Sequence, residues 1–147
     1  MSDKEHIAEL VARASNVGTL LAAQHEAAAK LLRTVHETYP HDGCAITQSC
    51  LLQDAGIDVP DTYQALAFGK MLEGRKWVRV PLGEQAPGDI GSTCGTSAQH
   101  GDDHVYLVLH ALNADEMVVA DNQSHAPHFR FASGRGKTPT RFFLRAT

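Results

Sequence analysis

The chain has 147 residues, the size of one ordinary domain and long enough to bury a real core. Its apolar share of 43% and charged share of 20% are those of a globular protein. The net charge of -4, with thirteen Lys and Arg scattered along the chain, argues against a nucleic-acid or anionic-membrane partner, which needs a clustered basic footprint. No apolar run reaches the ~20 residues that span a bilayer. The opening MSDKEHIAEL is polar where a secretory leader is charged and then apolar, so synthesis in the cytoplasm without a Sec signal is expected. Three cysteines allow at most one pair within the chain, so there is no disulfide framework.

Taken in order, residues 2 to about 37 read as helix, with Ser2 and Glu5 spaced as a capping box. Ile7, Leu10, Val11, Ala14, Val17 and Leu21 recur at spacings of three and four, and Leu31, Leu32 and Val35 continue the stripe past a break at Gly18. His6, His25 and His36 fall on solvated positions of this segment. Tyr39-Pro-His-Asp-Gly43 is a turn by composition. A helix is expected from Cys44 to Ala55, with Gly56 beyond its end. Asp61 is placed to cap a second helix that closes at Gly74.

After Gly74 the pattern turns to strands. Trp77–Val80 alternates with period two, Ala86–Ile90 is a turn into a second strand, and Ser92–Asp103 is a polar loop. His104–Leu112 is the best strand in the sequence, and Asn113–Glu116 turns it into Met117–Asn122. Residues 141–145 read as a closing strand. Arg130, Arg135, Lys137 and Arg141 form the densest basic group and read as a solvated strand-and-loop region. Helices followed by a run of antiparallel strands predict an α+β class and one domain, 1–38 being a helical segment and 39–147 the core.

Chemistry concentrates at three places. Cys44 opens a helix just after a turn, where free N–H groups and the positive dipole end favour a thiolate. A buried hydrophobe, a disulfide half and a metal ligand are its other readings, while Cys50 packs inward and Cys94 stays open. His104 begins the strongest strand beside a polar loop, sharing a face with Tyr106, Val108 and His110. Asn122 ends the hairpin partner of that strand, but counting from the turn sets it opposite a residue near 107, short of His104. A bulge would bring Asn122 or Gln123 closer, and Asp121, of opposite side-chain direction, competes for the same place.

The order of these pieces resembles the papain-like cell-wall hydrolases, namely the CHAP amidases and NlpC-type peptidases, with the type VI secretion amidase effectors as a related branch. CAITQSCLLQDAGIDVP resembles their nucleophile helix, APGDIG the strand before the histidine, DHVYLVL the histidine strand, and DNQ the end of the next one. The likeness covers about residues 39 to 145. It implies a papain-like fold and an amide hydrolase without cofactor or metal. Cys44 would be nucleophile, His104 base, and Asn122 the third member, with Asp121 or Gln123 as substitutes. The Cys44 N–H and Tyr39 would meet the oxyanion. A peptidoglycan peptide would be the substrate, and a delivery or immunity protein a partner. The chain departs from the family pattern at Gly43, where a polar residue is usual, and at Asp103, where glycine is usual. Two further readings stand beside it: a catalytically silent papain-like binding module, and a zinc domain using Cys94, His100, Asp102, His104, His125 and His128.

Overall fold

The computed structural model describes residues 1–99 and 101–147. Among these, four α-helices precede a six-stranded antiparallel sheet, so the class is α+β. A 3₁₀ turn, Asp3–His6, leads into α1 (Ile7–Ser15), and α2 runs Val17–Val35. The break falls at Asn16 rather than Gly18. Asn16 has extended backbone, and its side chain accepts the Thr19 N–H at 3.1 Å, capping α2. The Ser2 capping box does not form. Instead Asp3 reaches across the fold, accepting from Arg75 Nε and Nη2 at 2.8 and 2.6 Å and from Trp77 Nε1 at 2.9 Å. The apolar stripe is also narrower than its spacing suggests. Leu10, Ala14, Leu20, Ala23, Ala27 and Leu31 are buried, whereas Val17, Leu32 and Val35 are exposed.

Helix α3, Cys44–Asp54, is the centre of the molecule. Every residue from Cys44 to Leu52 is buried, because α1 and α2 cover one side and the sheet the other. Buried polar groups in such a helix must bond. Thr47 Oγ1 donates to Gly43 O and Ser49 Oγ to Ala45 O. Helix α4, Ala65–Gly74, is preceded by Gln64 and so starts three residues later than an Asp61 cap would place it. The Asp61 carboxylate is taken by Lys30 at 2.9 Å and by Gln53 at 2.8 Å.

The strands are β1 (Val78–Val80), β2 (Ile90–Ser92), β3 (Val105–Ala111), β4 (Glu116–Ala120), β5 (His128–Phe131) and β6 (Phe142–Arg145). Their order is β1-β6-β2-β3-β4-β5. The sheet buries both faces. Ile90, Val105, Leu107, Leu109, Ala120 and Leu144 meet the helices, while Val80, Tyr106, Val108, Met117, Val119 and Phe143 form a smaller core on the far side. Strand β5 falls where the sequence reading gives only a solvated strand-and-loop region around Arg130, with no bounds for a strand. The N-terminal helices and the core therefore share one apolar cluster, and no helix among the described residues is long and apolar enough to cross a membrane.

Candidate functional site

The turn before α3 is built to hold Cys44. Gly43 N–H donates to Pro40 O at 3.0 Å, and the same carbonyl accepts Asn122 Nδ2 at 2.8 Å. Tyr39 hydroxyl and Thr47 Oγ1 lie 2.8 Å apart. Because Thr47 donates its one proton to Gly43 O, the phenol is the donor, and the chain Tyr39–Thr47–Gly43 ties the turn to α3. A Cβ on Gly43 would sit 2.9 Å from the Tyr39 ring and 3.0 Å from Pro40 O. The Tyr39 ring and Pro40 O fill the space that a side chain at position 43 would need. Gly43 also gives α3 no side-chain cap, leaving the Cys44 N–H without a side-chain partner.

The sequence expects the helix end to favour a thiolate, and burial reverses this. Cys44 is 8% exposed, and burial pushes its thiol up to about 11, against the backbone N–H groups of Val105 and Ala45, which pull it down. A helix terminus contributes at most about 2 kcal/mol even when partly buried. Here desolvation is the larger effect. The resting sulfur is a neutral thiol lying against the first residue of β3.

His104, 7% exposed, lines the same cleft as Cys44, and its Nε2 lies 2.9 Å from Asp121 Oδ2. Asp121 is fully buried and also receives His128 Nε2 at 2.8 Å and the Gln123 N–H at 2.8 Å on Oδ1. Burial pushes the Asp121 carboxyl upward. The hydrogen bonds and charges of His104 and His128 outweigh it and hold the group well below the usual carboxylate range. An ionised carboxylate only accepts, so each imidazole presents Nε2–H to it, and the lone pair of a neutral ring at His104 would lie on Nδ1.

Asp121, not Asn122, therefore holds the His104 ring, and sheet geometry gives the reason. A bulge at Leu109 shifts the β3–β4 register from His110↔Val118 to Leu107↔Ala120. Continued past Ala120, that register sets Asp121 opposite Tyr106 and Asn122 opposite Val105. Directly opposed residues share a face, so Asp121 lies on the face of Tyr106 and His104. Asn122 is turned to the helix side, where it meets Pro40. The Tyr106 ring stacks on His104 with centroids 6.0 Å apart and crosses Gly91 so closely that a Cβ there would lie 2.2 Å from Cζ.

Cys44, His104, Asn122 and Gln123 line one open cleft of about 760 Å³, together with His41 and Tyr63. Tyr39 is not among the cleft residues. Its hydroxyl is spent on Thr47 and pushed up to about 12 by burial, so it offers no contact at the Cys44 N–H. Three supports escaped the sequence reading. Gln24 of α2 donates Nε2 to Asp121 O at 2.8 Å and to Ser124 O at 2.7 Å, and its Oε1 takes His125 Nδ1 at 3.2 Å. Gln48, one turn beyond Cys44, donates to Ala120 O at 3.0 Å. His128 is the third; the sequence reading names it only as a candidate zinc ligand.

The zinc donors of residues 94–128 do not converge among the described residues, and His100 lies outside them. Cys94 is buried after β2, while His104 and His128 are bound to Asp121. The one group of three potential ligand atoms found among the described residues is Glu37, His41 and Asp42, on the rim of the cleft. No family model, no curated protein and no solved structure matches the chain.

Proposed function

We propose that this chain is a papain-like cysteine hydrolase that cleaves amide bonds in peptidoglycan peptides, with Cys44 as nucleophile, His104 as base and Asp121 as the carboxylate that orients it. The observation that carries the reading is the 2.9 Å bond from His104 Nε2 to a buried carboxylate, with a cysteine at a helix start lining the same cleft. That pairing sets the tautomer a base needs. The order of nucleophile helix, histidine strand and hairpin partner supports the papain-like assignment.

Because the thiol is neutral at rest, its proton moves to His104 Nδ1 as sulfur attacks the carbonyl carbon, and the imidazolium forms against Asp121. The Cys44 N–H meets the oxyanion, a contact worth about 3 kcal/mol where one such donor has been removed elsewhere. Collapse breaks the C–N bond, and His104 returns the proton to the leaving amine. Water, deprotonated by the same ring, then opens the thioester and frees the acid and the thiol. On this reading the enzyme works outside the cytoplasm after delivery by a partner, and an immunity protein acts by covering the cleft.

Digestion of purified peptidoglycan by the wild type and by Cys44→Ala, with mass analysis of the fragments, tests the proposal. New amine and carboxyl termini are expected from the wild type alone. Equal release by both proteins would remove Cys44 from the reaction. The burial of Cys44 favours one other reading, a silent papain-like binding module. Iodoacetamide labelling across pH separates the two: substrate-cleft peptides that slow alkylation while staying intact belong to the module.

A further inference from the structure

Strand β5 carries Arg130 on the same face as His128. The sequence reading places Arg130 in a solvated basic region, yet it is only 3% exposed. Its Nη2 donates to Thr138 O at 2.8 Å, its guanidinium carbon lies 4.9 Å from the Tyr106 ring centroid, and its Nε is buried without a partner. Among the described residues no carboxylate pairs with it, and the nearby Asp121 is already occupied by His128, His104 and the Gln123 N–H. A buried cation without a counter-charge is costly, and such groups are normally paired.

Arg130 forms one wall of a cavity of about 270 Å³, with Lys137 and Thr138. His104 and Gln123 line both this cavity and the main cleft. Asp102 and Asp103 stand on the remaining side, and one oxygen of Asp103 is committed to the Gln99 N–H at 2.8 Å. Guanidinium is the side chain best matched to a carboxylate, and Lys137 adds a second positive charge. We infer that this cavity is an anion subsite in which Arg130, with Lys137, seats a free carboxylate of the peptide substrate beside the bond that is cut.

The inference rests on the proposed hydrolase, and the experiment separates the two. Stem peptides from peptidoglycan are prepared unmodified, with the C-terminal carboxylate converted to carboxamide, and with all carboxylates converted. Their binding to Cys44→Ala is measured by calorimetry, and their cleavage by the wild type is followed in parallel. Losing a charged hydrogen bond predicts an affinity drop of about tenfold or more. A drop at the first conversion identifies a terminal carboxylate, and a drop only at the second identifies a side-chain one. Discrimination should vanish in Cys44→Ala/Arg130→Met and partly return in Cys44→Ala/Arg130→Lys. Equal affinity for all three peptides, discrimination that survives Arg130→Met, or no binding of any peptide overturns the subsite. Discriminating binding without wild-type cleavage keeps the subsite and removes the hydrolase. Cleavage with equal affinities does the reverse.

Discussion

Replacing Asp121 by Asn keeps the shape of the side chain and removes its charge. The carboxylate accepts three N–H groups, from His104, His128 and Gln123. An amide has one oxygen and one NH₂, so at least one imidazole would face a donor and have to present a lone pair on Nε2. Where that ring is His104, its proton is driven to Nδ1 and the base is lost. A wrong tautomer of this kind costs about 10⁴-fold in kcat in a Ser-His-Asp enzyme, and about 10³- to 10⁴-fold is expected here, or about 4 to 5.5 kcal/mol of barrier. Single-turnover cleavage of stem peptides reads it, with KM little changed. The substitution also removes the charge from three charge-assisted bonds, a difference of about 1 kcal/mol each. The folded carboxyl lies below its ordinary value of 3.8, so its stabilisation is complete above that pH and is lost as pH falls through the folded value. The wild-type advantage in urea unfolding should therefore persist down to about pH 4 and shrink below it. Asp121→Asn turning over within threefold of wild type, with Asn122→Ala inactive, would refute this reasoning and return the third position to Asn122.

Gly43→Ser forces a Cβ to 2.9 Å from the Tyr39 ring, and overpacking of this kind costs about 1 to 3 kcal/mol. An unchanged urea midpoint would mean that the ring gives way freely. Gln24→Ala strips the carbonyls of Asp121 and Ser124 of their shared donor, with a cost of about 1 to 3 kcal/mol. It should also lower kcat although the residue lies outside the cleft; full activity with normal stability would show that the 121–125 loop holds itself.

The readable parts of the sequence were those with strong local signals. Cys44–Asp54, the strand after His104 and its hairpin partner follow from periodicity and turn residues, and they deliver Cys44 and His104 to one cleft. The third member did not follow, because a single bulge at Leu109 decides which of Asp121 and Asn122 shares the histidine's face, and no residue type announces it. Strand β5 was hidden by its composition: His128 and Arg130 look solvated until Asp121 and Tyr106 are placed beside them. The protonation of the Cys44 thiol is illegible in the sequence for a similar reason. Helix-end electrostatics is local and legible, whereas burial by α1, α2 and the sheet is a property of the whole chain.

The tie from Gln24 to the 121–125 loop spans 97 residues to Asp121, and it has a consequence for the time at which the site exists. A growing chain of 100 residues already carries the cysteine but neither the carboxylate nor the two rings that gather on it. Closing contacts so distant in sequence comes late in folding. The cluster of His104, His128 and Asp121 is therefore complete only after β4 and the loop beyond it have docked on α2, and a chain of 100 residues carries Cys44 without it.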